Sequence, residues 1–339
     1  MLESPIAEPR DPSIPSSEWT VQDIPRAVRL AFDIQKLAVA TVGLTAAAIT
    51  YAAFWWLGNL TGERSGHRVF MVLGAMLATC LCVLCSGIIA RMATVQLLEQ
   101  RRASAAELRQ FARDRASTLL GIPLTFGGIA VGVFAIEAML ALAGSIPGIG
   151  PIIYSACFLL AFFLSLTAVL TVSVHMVGAF LYPSIVSIRG VGAVGAVVEV
   201  VELARRQPLF LLLCEAVVAL VGALMTLLIG GAVWASLSLT TWLAEAIMDE
   251  RFELSVGSIP SFFEVFLRPF AKVFPLSPEL LEATWNYDLA GLLMGISFMI
   301  VAVLTLVYPF TFFTSAGSIT YLILRSEPLD PERSLIEDL

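Results

Sequence analysis

Long apolar stretches separated by short polar ones make up most of this chain. Six stretches, roughly 37–59, 69–90, 118–143, 151–181, 209–243 and 288–308, are long enough to cross a hydrocarbon core of about 30 Å. The fifth is longer than an upright crossing needs and has room to tilt. Between the third and fourth lies Gly144–Pro151, a turn rich in Gly and Pro of the kind that joins two antiparallel helices. The pattern predicts an all-α polytopic transmembrane bundle of about six spans, arranged as three helical hairpins. Helical spacing also predicts amphipathic interfacial elbow helices. One covers 99–117, with Leu108, Phe111 and Ala112 on one face and arginines on the other; a second covers 193–206. Phe111–Arg115 aligns with Leu203–Gln207, and Tyr182–Pro183 recurs as Tyr308–Pro309. Both matches fit a weak threefold hairpin repeat, with chance similarity between interfacial helices as the alternative. Residues 1–36 form an N-terminal tail and pre-span segment. Residues 37–325 form the six-span domain, with an outer loop at 244–287, and 326–339 form a C-terminal tail. In the outer loop, Phe263, Phe266 and Phe270 share one helical face and Glu264, Arg268 and Lys272 the other, which predicts a helix lying on the outer leaflet.

Composition agrees with the pattern. Of 339 residues, 58% are hydrophobic and 14% charged, against about 25% charged in soluble domains. The mean hydropathy is +0.88. So much apolar surface has to face lipid, which excludes a soluble nucleotide-binding enzyme, a nucleic-acid binder and a disordered regulator. The net charge of −7 comes partly from the acidic tails. Lys and Arg are unevenly spread: 15 lie in the N-terminal tail, the segments 91–117 and 184–208 and the chain from Arg325 onward, and 5 in the alternate connections. By the positive-inside rule both termini are cytoplasmic, in a bacterial inner membrane. Residues 1–20 lack the apolar core of a cleavable signal peptide, so the first span serves as an uncleaved signal-anchor.

The spans contain few groups capable of chemistry. Glu137, His175 and Glu215 are ionisable residues inside apolar runs, where charge is expensive and function is the first hypothesis. His175 and Glu215 lie at similar depth on either side of one connection, close enough along the chain to meet. A proton- or cation-coupled site is the functional reading of these three; a structural polar pair is the other. Arg101, Arg102, Arg109, Arg113 and Arg115 supply the positive-inside signal and are candidates for lipid-headgroup contact. Cys80, Cys82, Cys85, Cys157 and Cys214 all sit in apolar runs and read as packing residues. Cys82 and Cys85 have metal-like spacing without a second ligand pair, so no metal and no cofactor is expected. Gly128 with Gly132, and Gly291 with Gly295, have the spacing of close helix packing. No nucleophile–base set, zinc motif or phosphate-binding loop occurs, so the chain reads as non-enzymatic. It is expected to be a scaffold or membrane subunit of a larger assembly, with the lipid bilayer and other membrane subunits as partners. A transporter or channel for a small or lipidic solute is the alternative.

Four segments carry a resemblance. They are Gly87–Ala93 with Arg102–Ala112, Ser145–Pro151, Tyr182–Val186 with Arg205–Pro208, and Ser315–Arg325 with Asp330. Together they resemble a family of six-span membrane proteins of planctomycete-type bacteria, of unknown function, over residues 25–330. The resemblance implies the architecture and no activity. Ser187–Gly190 departs from the family's usual elbow, which has an acidic residue and an Arg-Ser-like pair after the Tyr-Pro.

Overall fold

The computed structural model describes residues 19–61, 64–248, 252, 255, 256, 259 and 285–326. Among these the regular elements are helical. After a short 3-10 turn at Val21–Asp23 come α1 (Arg26–Ala31), α2 (Ile34–Leu60), α3 (Arg64–Leu98), α4 (Ala105–Gly144) and α5 (Gly150–Gly178). They are followed by α6 (Tyr182–Arg189), α7 (Ala193–Arg206), α8 (Pro208–Met248) and α9 (Trp285–Ser326). Six of them, α2, α3, α4, α5, α8 and α9, contain stretches long and apolar enough to cross a membrane. The chain is an integral membrane protein with an all-α polytopic bundle.

Local chemistry sets the element ends. Asp33 caps α2, its Oδ1 accepting from the Gln35 amide at 3.0 Å. Ser104 and Glu107 form a reciprocal capping box at the start of α4. The α4–α5 turn uses Gly148 at φ +86° and a proline in the first turn of α5. Gly190, at φ +64°, ends α6, and the chain bends by 115° into α7. Pro208 starts α8 and holds Gln207 out of the helical region.

Three hairpins form, α2 with α3, α4 with α5, and α8 with α9. Glycines set their closeness: a Cβ on Gly43 would lie 2.1 Å from Cys85 Sγ, and one on Gly222 would lie 2.6 Å from the Phe313 ring. Cys85 therefore packs as a small apolar group against a facing glycine. The hairpins converge at one end, called here the arginine end, where α2, α4 and α8 begin and α3, α5 and α9 finish. Two core clusters fill it. One joins Leu119, Ile122, Leu181, Ile185, Val200 and Leu324; the other joins Ile24, Ala27, Cys214, Val218, Phe312 and Ile319. Towards the far end the second hairpin stands apart, and Val131, Phe134, Met139, Leu142, Phe158 and Phe163 are all exposed. These surfaces are suited to face lipid.

Two features depart from the sequence expectation, the start of α4 and the end of α9. Residues 105–117 form no separate elbow: α4 runs unbroken from Ala105 through Pro123 to Gly144. The aligned segment 193–206 is a helix of its own, because Pro208 breaks the chain where α4 has no proline until Pro123. The last span does not stop at Tyr308. Helix α9 passes through Pro309 and continues to Ser326, and Thr311, Phe312, Ser315, Ala316, Ser318, Ile319 and Tyr321 are buried on all sides of it. A Cβ on Gly317 would lie 2.1 Å from the Phe180 carbonyl oxygen, so backbones touch there. The pre-span segment packs against α9 from Ile24 onward, and the buried Thr311 hydroxyl donates to the Ala31 carbonyl at 3.3 Å. The expected outer-leaflet helix with Phe263, Phe266 and Phe270 falls outside the described residues. So does the C-terminal tail beyond Ser326.

Candidate functional site

Among the described residues, most side-chain hydrogen bonds and ion pairs between helices gather at the arginine end. Helix α7 turns Ala196 and Val200 into the core, and Glu199 lies beside them with its side chain only 13% exposed. Its carboxylate accepts from Arg189 Nη1 on α6 at 3.0 Å and from the hydroxyl of the buried Tyr321 on α9. Arg325 Nη1 in turn donates to the Tyr321 oxygen at 3.1 Å. Four side chains on three helices thus form one charged relay. Below it the buried hydroxyls of Ser184 and Ser318 lie 3.0 Å apart, and Ser187 donates to Thr94 Oγ1 at 3.0 Å. Arg91 donates to the Ser187 carbonyl at 3.2 Å, with its guanidinium carbon 6.0 Å from the centre of the Phe111 ring. A partnered network in low dielectric fixes one arrangement of the helices that contribute to it. From sequence, Glu199 reads with Glu202 as a solvated edge. Glu202 is such an edge, half-exposed and paired with Arg206 one turn on. Glu199 is instead the centre of the relay.

Among the described residues, three cavities open at this end. The largest, about 660 Å³, lies where α1, the start of α2 and the end of α3 meet, and is lined by Arg26, Arg29, Asp33, Gln96 and Arg102 with Phe32 and Ile34. The second, about 420 Å³, lies between α4 and α6 and mixes Arg91, Arg115 and Arg189 with Glu107 and Asp114. The third, about 120 Å³, sits over the relay.

The five candidate headgroup arginines divide by surroundings. Arg101 is committed to the protein, with 2.6 Å to Glu99 and 2.7 Å to Glu107, and these carboxylates hold its guanidinium yet more firmly protonated. Arg109 donates to the Ala105 carbonyl. Arg113 is exposed on the α4 surface. Arg102 lines the first cavity and Arg115 the second.

The intramembrane candidates are not brought together. His175 stacks on Tyr182, with ring centres 6.1 Å apart, and lies 4.9 Å from the Phe126 ring; its buried Nδ1 has no partner among the described residues. Glu215 is half-buried on α8. Helix α8 packs on α9 and α7, while α5 packs on α4 and α7. No hydrogen bond or ion pair joins His175 to Glu215, so the expected meeting of the two is not what the structure holds. Glu137 accepts a 2.5 Å hydrogen bond from Ser165 across the second hairpin. None of the three cavities includes any of these residues. Among the described residues, no group of three or more His, Cys, Asp or Glu is placed to hold a metal ion.

No family model, no curated protein and no solved structure matches this chain.

Proposed function

We propose that the protein is a non-enzymatic membrane subunit, a helical scaffold that works within a larger membrane assembly. The outer half of the second hairpin carries this reading. There α4 turns Gly127, Gly128 and Gly132 into open space, with exposed Val131 and Phe134 beside them. Apolar side chains alone give helices little reason to pair in lipid, whereas a row of small residues lets a second helix approach closely. Gly291 and Gly295, by contrast, are buried within the chain. The reading puts the arginine end and both termini on the cytoplasmic side of a bacterial inner membrane, on the strength of the 15-to-5 distribution of basic residues. A transporter needs its polar residues around one pathway, and the separation of His175, Glu215 and Glu137 counts against that alternative.

The test is the mass of the particle extracted from its native membrane in polymer nanodiscs. A mass well above one 36.5 kDa chain plus lipid, lost on Gly128→Ile with Gly132→Ile, supports the subunit reading. A lone chain that, once reconstituted, dissipates a proton gradient in a manner abolished by Glu215→Gln overturns it in favour of transport.

A further inference from the structure

The cavity between α1, α2 and α3 has more cationic charge than the described residues neutralise. Three guanidinium groups line it, from Arg26 and Arg29 on α1 and from Arg102 just after α3, against one carboxylate, Asp33. Asp33 is already occupied: Oδ1 accepts from the Gln35 amide and Oδ2 from the Gln96 side chain. Arg26 is paired with Asp23 at 3.1 Å. Arg29 and Arg102 have no acceptor among the described residues. The second cavity differs on each count. It holds two carboxylates to three arginines, with Arg189 bound to Glu199 and Arg91 to the Ser187 carbonyl.

Position adds a second constraint. Ile34 is the first residue of a helix long and apolar enough to cross a membrane, so this cavity lies at the end of that helix. Phe32 and Ile34, 54% and 70% exposed, form its apolar lip. A ligand that suits the site carries an anionic phosphate for the arginines and hydrocarbon for the lip. We infer that the cavity between α1, α2 and α3 is a binding site for the headgroup of an anionic phospholipid. The phosphodiester sits between Arg29 and Arg102, and the acyl chains descend past Phe32 and Ile34. Guanidinium suits this role because its planar fork meets phosphate oxygens in pairs. The inference rests on the helices crossing a membrane and is independent of whether the chain is a subunit or a transporter.

The experiment is native mass spectrometry of the full chain in detergent, titrated with phosphatidylglycerol. The comparison proteins are Arg29→Gln with Arg102→Gln, and a control, Arg109→Gln with Arg113→Gln, which removes the same charge elsewhere on that end. Binding by the cavity variant should weaken about 30-fold, the loss expected for two interfacial cations, while the control changes less than about threefold. Phosphatidylcholine should bind wild type more weakly, and soluble glycerol phosphate should not displace the lipid. Equal losses in the two variants would mean diffuse attraction and overturn the site. Displacement by glycerol phosphate at concentrations comparable to the lipid would make it a soluble-phosphate site and overturn the lipid assignment. Should the double variant melt earlier than wild type, Arg102→Gln alone, which lies outside any helix, must reproduce at least a fivefold loss; no loss there overturns the proposal.

Discussion

Glu199 is the residue on which most depends. Two donors from different helices end on its carboxylate. Glu199→Ala should lower stability by about 2–3 kcal/mol, because Tyr321 is buried and its hydroxyl is left without its acceptor. Tyr321→Phe should cost about 1 kcal/mol, and the double variant less than the sum, with a coupling of at least about 0.5 kcal/mol in detergent thermal melts. Strict additivity would show that the relay is not formed. The same cycle on His175→Ala and Glu215→Ala should be additive within about 0.5 kcal/mol. His175 rests against Phe126 and Tyr182, and Glu215 sits on a helix packed elsewhere. The relay could not be found in the sequence, since Tyr321 stands 122 positions from Glu199. The Glu199–Glu202 spacing marks a helix face without saying what covers it. Among the arginines, charge and position were readable, but which guanidiniums the protein itself neutralises was not.

At the level of elements, the second half of α9 decides how the bundle closes. Gly317→Ala puts a methyl group against the Phe180 carbonyl, a backbone atom that cannot turn aside, and should cost about 1–3 kcal/mol. Gly230→Ala on α8 meets nothing within 4 Å and should be neutral or gain up to about 1 kcal/mol through helix propensity. If the two melt alike, the close contact at Gly317 is absent. Hydropathy located the six spans but ended the last one eighteen positions early, for a physical reason. Between Thr311 and Thr320 the run of Thr, Ser and Gly lowers mean hydropathy, so the pattern looks like an exit from lipid. In the fold that stretch is covered by protein. Thr311 and Thr314 satisfy their hydroxyls on the Tyr308 and Phe310 carbonyls, both at 2.8 Å, and the small residues allow close approach. The quartet Ser315–Ser318 was the available sign of a helix packed against other helices. The unbroken start of α4 was hidden in the opposite way: its polar first turns look like a surface elbow, and nothing in them stops the helix.

For the whole molecule, the arrangement of hairpins fixes which connections share a side. Ser145, at the α4–α5 turn, and Ser104, before α4, lie at opposite ends of one 40-residue helix about 60 Å long. In a chain freed of its own cysteines, Ser145→Cys should react with an impermeant maleimide in intact spheroplasts, and Ser104→Cys only after lysis. Reversed labelling would invert the orientation while leaving the bundle unchanged. The central place of α9 also has a consequence for biosynthesis. The residues that tie the arginine end together, Phe312 to Leu324, are translated after all the other described helices. At ordinary elongation rates they leave the ribosome on the order of ten to fifty seconds after α3 is complete. During that interval the first five spans have inserted, but Ser184 and Glu199 still wait for Ser318 and Tyr321, their α9 partners. The cell therefore holds a membrane-inserted intermediate with an unsealed polar end, and a ribosome that stalls before Phe312 leaves a substrate for membrane quality control rather than a shorter working protein.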